Sequence, residues 1–147
     1  MQIQTINAKN FRRYGRVIEY PKKETKGNKR NLFRIVLTEP KPNGWRIAYL
    51  IVRDKKISRL EQHPHSFESF EPVKGKAILY IALKTDPAAI KCFYLDCPVI
   101  LHKKVWHGVV TLTDETEIKL TENAHVQCVF WKMDCPLTQA GLPPKQN

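Results

Sequence analysis

Turn signals interrupt this 147-residue chain every ~8–12 residues, and the stretches between them are too short and too rich in β-branched and aromatic residues for helices. Residues 16–20, 32–38, 45–53, 57–62, 76–83, 99–101, 109–112, 117–120 and 126–133 read as strands, after a first short strand at the N-terminus. Glu39-Pro40-Lys41-Pro42-Asn43-Gly44 is a turn, because two prolines break any helix and Asn-Gly favours positive φ. Asp54-Lys55-Lys56 and Pro72-Val73-Lys74-Gly75 read as further turns. Helix is expected only near Asn10 and over residues 86–93, where Thr85 or Asp86 would cap and Pro87 would take the first position. Roughly ten short strands predict an all-β sandwich, barrel or jelly roll with one or two short helical turns. Residues 1–136 are expected to form one domain, and residues 137–147, with Pro143 and Pro144, a loose tail.

Composition narrows the functional classes. No apolar run approaches the ~18 residues of a membrane span, so no membrane partner is expected. The N-terminus lacks the basic-then-apolar layout of a signal peptide, which predicts a cytoplasmic protein with reduced thiols. Cys92 and Cys128 sit in apolar runs and are expected to be buried. The formal net charge of +11 is dense only at Lys22, Lys23, Lys26, Lys29, Arg30 and Arg34, which read as a solvated loop. No zinc finger, RNA-binding strand motif or helix-turn-helix accompanies the charge, so nucleic acid is not the expected partner.

Four of the five histidines lie in two short stretches, His63-Pro64-His65-Ser66-Phe67-Glu68 and His102-Lys103-Lys104-Val105-Trp106-His107. Imidazoles on neighbouring strands can hold a metal, move protons or bind a small anion. The first stretch, H-x-H-x2-E, is one residue short of the H-x-H-x3–4-E of cupins, whose double-stranded β-helix carries histidines on facing strands. The second follows the cupin P-x-G-x2-H frame with His102 for Pro and Lys104 for Gly. On a continuous strand His63 and His65 share a face and Glu68 lies on the other, so Glu68 joins them only through a bulge. His102 has the opposite parity to His107, and is placed at the mouth or behind the inner groups.

Three stretches carry a narrower resemblance: Phe11-x-x-Tyr14-Gly15-x-Val17-Ile18-Glu19; Leu60-Glu61-Gln62-His63-Pro64 continuing to Phe70-x-Pro72-x-x-Gly75; and His102-x-x-Val105-Trp106-His107. In order and spacing, from about residue 11 to about residue 110, they are similar to the ureidoglycolate lyases of the cupin superfamily. The resemblance implies a homodimeric double-stranded β-helix with a pocket inside the barrel. It also implies cleavage of ureidoglycolate to glyoxylate and urea, or of a related small carboxylate. The chain departs from the family at Gly108, where a second His usually follows Trp-His, and at Leu101, where an aromatic is common. Glu68 stands in place of a Gln, and residues 21–34 lack the family's Tyr and His.

These readings assign His63, His107, Glu68 and His102 to catalysis, and His65, Trp106, Arg53 and Lys104 to substrate binding. Guanidinium forks suit a carboxylate, which places Arg53 and Arg59 as candidate clamps. His63, His65, Glu68 and His107 would suit Zn, Ni, Mn or Fe if a divalent metal is bound. Two alternatives stand beside the lyase: a cupin that binds a small acid or sugar without turnover, and a metal-dependent cupin isomerase or oxygenase.

Overall fold

Successive strands cross back and forth between two sheets, and that alternation places the site. The structure is a computed structural model describing residues 1–21, 23 and 31–139. Residues 22, 24–30 and 140–147, which hold most of the expected basic loop and of the expected tail, lie outside the described residues. The elements are β1 (Gln4–Thr5), α1 (Ala8–Phe11), β2 (Gly15–Val17), β3 (Trp45–Val52), β4 (Lys56–Gln62) and β5 (Glu68–Lys74). They continue with β6 (Ala77–Leu83), β7 (Asp86–Tyr94), β8 (Val99–Leu101), β9 (Trp106–Thr111), β10 (Thr116–Asn123) and β11 (Val129–Thr138). One sheet has the order β1-β7-β6-β9-β4-β11 and the other β2-β8-β5-β10-β3. From β7 to β11 every strand changes sheet, which is the winding of a double-stranded β-helix. All pairings are antiparallel except β1 with β7. No described helix is long and apolar enough to cross a membrane.

The period-2 rule explains the layers. Along β10 buried and half-buried residues alternate, with Ile118 and Leu120 turned inward. β6 is buried on both faces, as its unbroken apolar run requires. Leu79 and Ile81 enter the core between the sheets with Phe70, Phe93 and Leu101. Ile78, Tyr80 and Ala82 enter a second core on the outer face, with Leu60, Trp106, Val110 and Leu137. The β4–β11 ribbon contributes Leu60, Met133 and Leu137 to that core. Its end is held where Tyr80 donates to the Thr138 carbonyl and Gln139 Nε2 donates to the Thr111 carbonyl. α1 is capped by Asn7, whose side chain accepts from the Lys9 and Asn10 amides. It buries Phe11 completely, edge-on to Phe93 at 5.5 Å.

Five local expectations are corrected. Residues 86–93 are strand, not helix: β6 and β7 form a hairpin with Leu83 opposite Asp86, and Ile90 and Cys92 fill the outer core. Pairing and burial override the local helix signal there. Residues 32–38 form no strand; no partner edge meets them, and Phe33 and Ile35 remain exposed. Pro72 and Val73 belong to β5, and the turn falls at Gly75, whose φ of 81° is cheap only for glycine. β11 runs to Thr138, past the expected strand end at 133, and Leu137 within it is fully buried. All four cysteines are unbridged, and Cys128 is exposed rather than buried, since the chain reaches β11 only at the next residue.

Candidate metal centre

A bend in the chain, rather than a bulge in a strand, assembles the site. β4 ends at Gln62 and β5 begins at Glu68, so residues 63–67 belong to neither. Pro64 sits in this bend, which is tied to the end of β10. There Ser66 Oγ accepts from the Asn123 amide at 3.0 Å, and Asn123 Nδ2 donates to the His65 carbonyl at 3.1 Å. Strand parity is lost across the bend, and His63 and Glu68 both turn inward. His63 Nε2 lies 3.1 Å from Glu68 Oε2. His107, opposite Glu61 in the β4–β9 ladder, brings its Nε2 to 2.9 Å from the same oxygen. The two imidazole centroids are 5.1 Å apart. All three side chains are almost wholly buried. Glu61, half-buried, reaches 3.7 Å from His107 Nε2.

The far nitrogens decide what this cluster can do. His107 Nδ1 contacts the Val105 carbonyl at 3.0 Å, and His63 Nδ1 the Gln127 carbonyl at 3.2 Å. A carbonyl only accepts, so both Nδ1 atoms carry hydrogen and both Nε2 atoms face the Glu68 carboxylate. Glu68 Oε2 and His107 Nε2 are close, yet neither has an aligned hydrogen-bond partner. Two ring lone pairs and a carboxylate aimed at one another need positive charge between them. In the metal-free protein protons supply it. Burial alone would raise Glu68, but His107 and His63 outweigh it and hold the carboxyl well below its ordinary range. Burial alone would lower both imidazoles, but the Glu68 charge raises them, with Glu61 adding to the effect at His107. The nearby His107 imidazole lowers Glu61.

A divalent cation answers the same need without the protons. Ligand atoms of His63, Glu68 and His107 lie within 4.8 Å of one another. Two neutral imidazoles and a carboxylate, each His anchored through Nδ1 to a carbonyl, are a donor set for a divalent transition metal. The residues therefore fit the expected metal, through three of the four expected ligands.

The other expected residues lie elsewhere. His65 is exposed on the far side of the bend, and lines a surface depression with Lys104, Lys103, Pro64, Asn123 and His125. Lys104 is exposed, with a φ of 67°. His102 is half-buried, edge-on to Phe67 at 6.3 Å, and its amide donates to the Tyr14 carbonyl. Trp106 packs on Trp131 in the outer core, because adjacent residues of β9 face opposite sides and His107 takes the inner one. Arg53 is exposed and paired with Glu115 at 3.0 Å. Gly108 faces the outer core like Trp106: a Cβ there would stand 2.5 Å from Ile57 Cδ1 and 2.9 Å from Leu60 Cδ2. The second His of the resembled family has no room in that packing.

Sequence reading overlooked Glu61 and Cys128. The first had a signal, since Glu61 precedes His63 by two and shares its face. The second had none, because only the pairing of Val129 with Gln62 brings residue 128 opposite residue 63. A cavity of about 430 Å³ opens between β3 and the β4–β9 pair. Glu61, Glu68 and His107 line it, with Leu50, Val52, Phe70, Val109 and Leu120 as apolar wall. The exposed Arg53 and Arg59 stand at its edge. The volume is that of a small-molecule site.

No family description matches the sequence, and no curated protein does. Solved structures similar to the chain include a mutant form of Bacillus subtilis oxalate decarboxylase, at a TM-score of 0.48 and 20% identity, over 59% of this chain and 24% of that one. Another, from work on the Mn(II) centers of the same enzyme, gives 0.47 and 17%, over 61% and 24%. The matched part is thus a quarter of that enzyme, and the likeness adds nothing to an argument about activity.

Proposed function

We propose that the protein is a metal-dependent enzyme of cupin type that acts on a small carboxylic acid. One observation carries the reading: two buried imidazoles, each fixed through Nδ1 to a carbonyl, present Nε2 to a single buried carboxylate oxygen at the base of a cavity. His63, Glu68 and His107 would hold the ion. When bound, it would act as a Lewis acid toward a substrate carboxylate or hydroxyl. Arg59 adds positive charge at the cavity edge, and stacks on Phe130 at 4.6 Å. Leu50, Val52, Phe70 and Leu120 shed water from the wall. Glu61, reachable from solvent and 3.7 Å from His107 Nε2, is placed to take a proton from substrate at its carboxylate.

The narrower reading is carbon–nitrogen cleavage of ureidoglycolate. It rests on the stretches around His63 and His107. That reaction needs one base to take the hydroxyl proton and one acid to protonate the leaving urea nitrogen; Glu61 would be the base, and His107 the acid only in a centre that works without metal, where its Nε2 carries a proton.

Elemental analysis of protein purified without a histidine tag tests the general reading. The expected result is near-stoichiometric Zn, Ni, Mn or Fe that is lost in His107→Ala. Less than about one-tenth of an equivalent, with no uptake on adding metal, would sink it. Urea release from ureidoglycolate, corrected for spontaneous decay, tests the narrower reading separately.

A further inference from the structure

The inner ligand set does not exhaust the donors around His63. A second group shares that residue. The Cys128 thiol, a Glu61 carboxylate oxygen and a His63 ring nitrogen lie within 4.8 Å of one another. This is no accident of a mobile surface side chain. Val129 pairs with Gln62, so Cys128, the residue before β11, is brought next to His63, the residue after β4. The preceding residue, Gln127, is the one whose carbonyl holds His63 Nδ1. Glu61 connects the two groups, because it also reaches His107. The buried, unaligned atoms of Glu68 and His107 face the same His63 ring or its immediate neighbour.

We propose that Cys128 is a metal ligand: the ion held at His63 also takes the Cys128 thiolate, while Glu61 stays beside it as the base. The inference rests on the reading of His63, Glu68 and His107 as a metal centre. On binding, the S–H bond breaks, a sulfur–metal bond forms and one proton leaves to solvent, with no change of oxidation state. A thiolate shifts preference toward thiophilic ions such as Zn(II), Co(II) or Fe(II), and away from Mg(II) and Mn(II). The remaining thiols give no competing site. Cys92 is sealed in the outer core, and neither Cys97 nor Cys135 belongs to a ligand group among the described residues.

Cobalt(II) titration of the full chain, stripped with chelator and kept reduced, tests this by absorption. The wild type is expected to show visible ligand-field bands together with an intense near-ultraviolet sulfur-to-cobalt charge-transfer band. In Cys128→Ser the charge-transfer band is lost, the visible bands remain and affinity falls about tenfold or more. Cys128 is exposed, so the variant folds, which circular dichroism checks. Visible bands without charge transfer in the wild type, or a charge-transfer band that survives in Cys128→Ser, overturn the inference while the metal centre stands. No cobalt bands at all overturn both.

Discussion

Replacing Glu68 by glutamine in the chelated, metal-free protein should change the pH dependence of stability in a way that identifies what the carboxylate does. In the wild type both His63 and His107 are raised above the ordinary histidine value of about 6.5. Between that value and their folded-state values, the native protein binds more protons than the unfolded chain. Stability is therefore fully present below about pH 6.5 and is lost as pH rises. Each such proton is worth about 1.4 kcal/mol per pH unit, so between about pH 6.5 and 8 one histidine removes about 2 kcal/mol. That is a large share of the roughly 5–15 kcal/mol that holds a domain folded. Glutamine keeps the volume and removes the charge. Burial then dominates at His63 and pushes it below 6.5, and His107 keeps only the contribution of Glu61, so the fall above pH 7 becomes much shallower. Below about pH 6.5 the sign inverts, because the unfolded chain now binds more protons and stability rises with pH. Urea unfolding followed by tryptophan fluorescence, at half-unit steps from pH 5.5 to 8, reads this directly. The raised thiols of Cys92, Cys97 and Cys128 bear on either protein only above about pH 8.5, beyond this range. A variant whose stability falls between pH 6.5 and 8 as steeply as the wild type's would refute the ion-pair account of the cluster.

Two further outcomes test the scaffold. Gly75→Ala should cost about 2–3 kcal/mol in urea unfolding, since the residue needs a φ of 81° and a Cβ would stand 2.4 Å from the Glu115 carbonyl oxygen. Lys104→Gly should add about 0.5–1 kcal/mol and raise the melting temperature, by relieving a φ of 67° in a side chain outside the metal cluster, with metal content unchanged.

Most of the fold could be read where local and global signals agree. The apolar run of residues 76–83 exceeds what one buried face needs, and β6 is indeed covered on both. The alternation of residues 117–120 places Ile118 and Leu120 inside, as β10 shows. Residues 86–93 misled because Pro87, Ala88 and Ala89 carry a helix signal within four residues. The strand signal, the pairing of Leu79 with Phe93 and Tyr80 with Cys92, is spread across two segments. Residues 32–38 misled in the opposite way. Their alternation suits a strand, but alternation cannot supply a partner edge.

The site was harder to read for a related reason, and Glu68 shows it. Counting by twos from His63 assigns Glu68 to the wrong face, and the count is sound only if the strand is continuous. Pro64 breaks it, and the bend is held by Asn123, nearly sixty residues away along the chain and itself the last residue of β10. The same bend that admits Glu68 expels His65, so the two consequences are one structural fact. Had residues 63–67 stayed in a single strand, His63 and His65 would share a face and the carboxylate would point out. The cluster would then present two imidazoles with no anion to balance an ion or a proton. As folded, Glu68 stands between His63 and His107, and Glu61 lies on the open side. Parity still holds at the end of β4, and one step of two back from His63, the residue after it, reaches Glu61. The residues that parity can find are those on the same strand as a recognised one. Those that depend on the bend or on the β4–β11 pairing, Glu68 and Cys128, become visible only once the sheets are assembled.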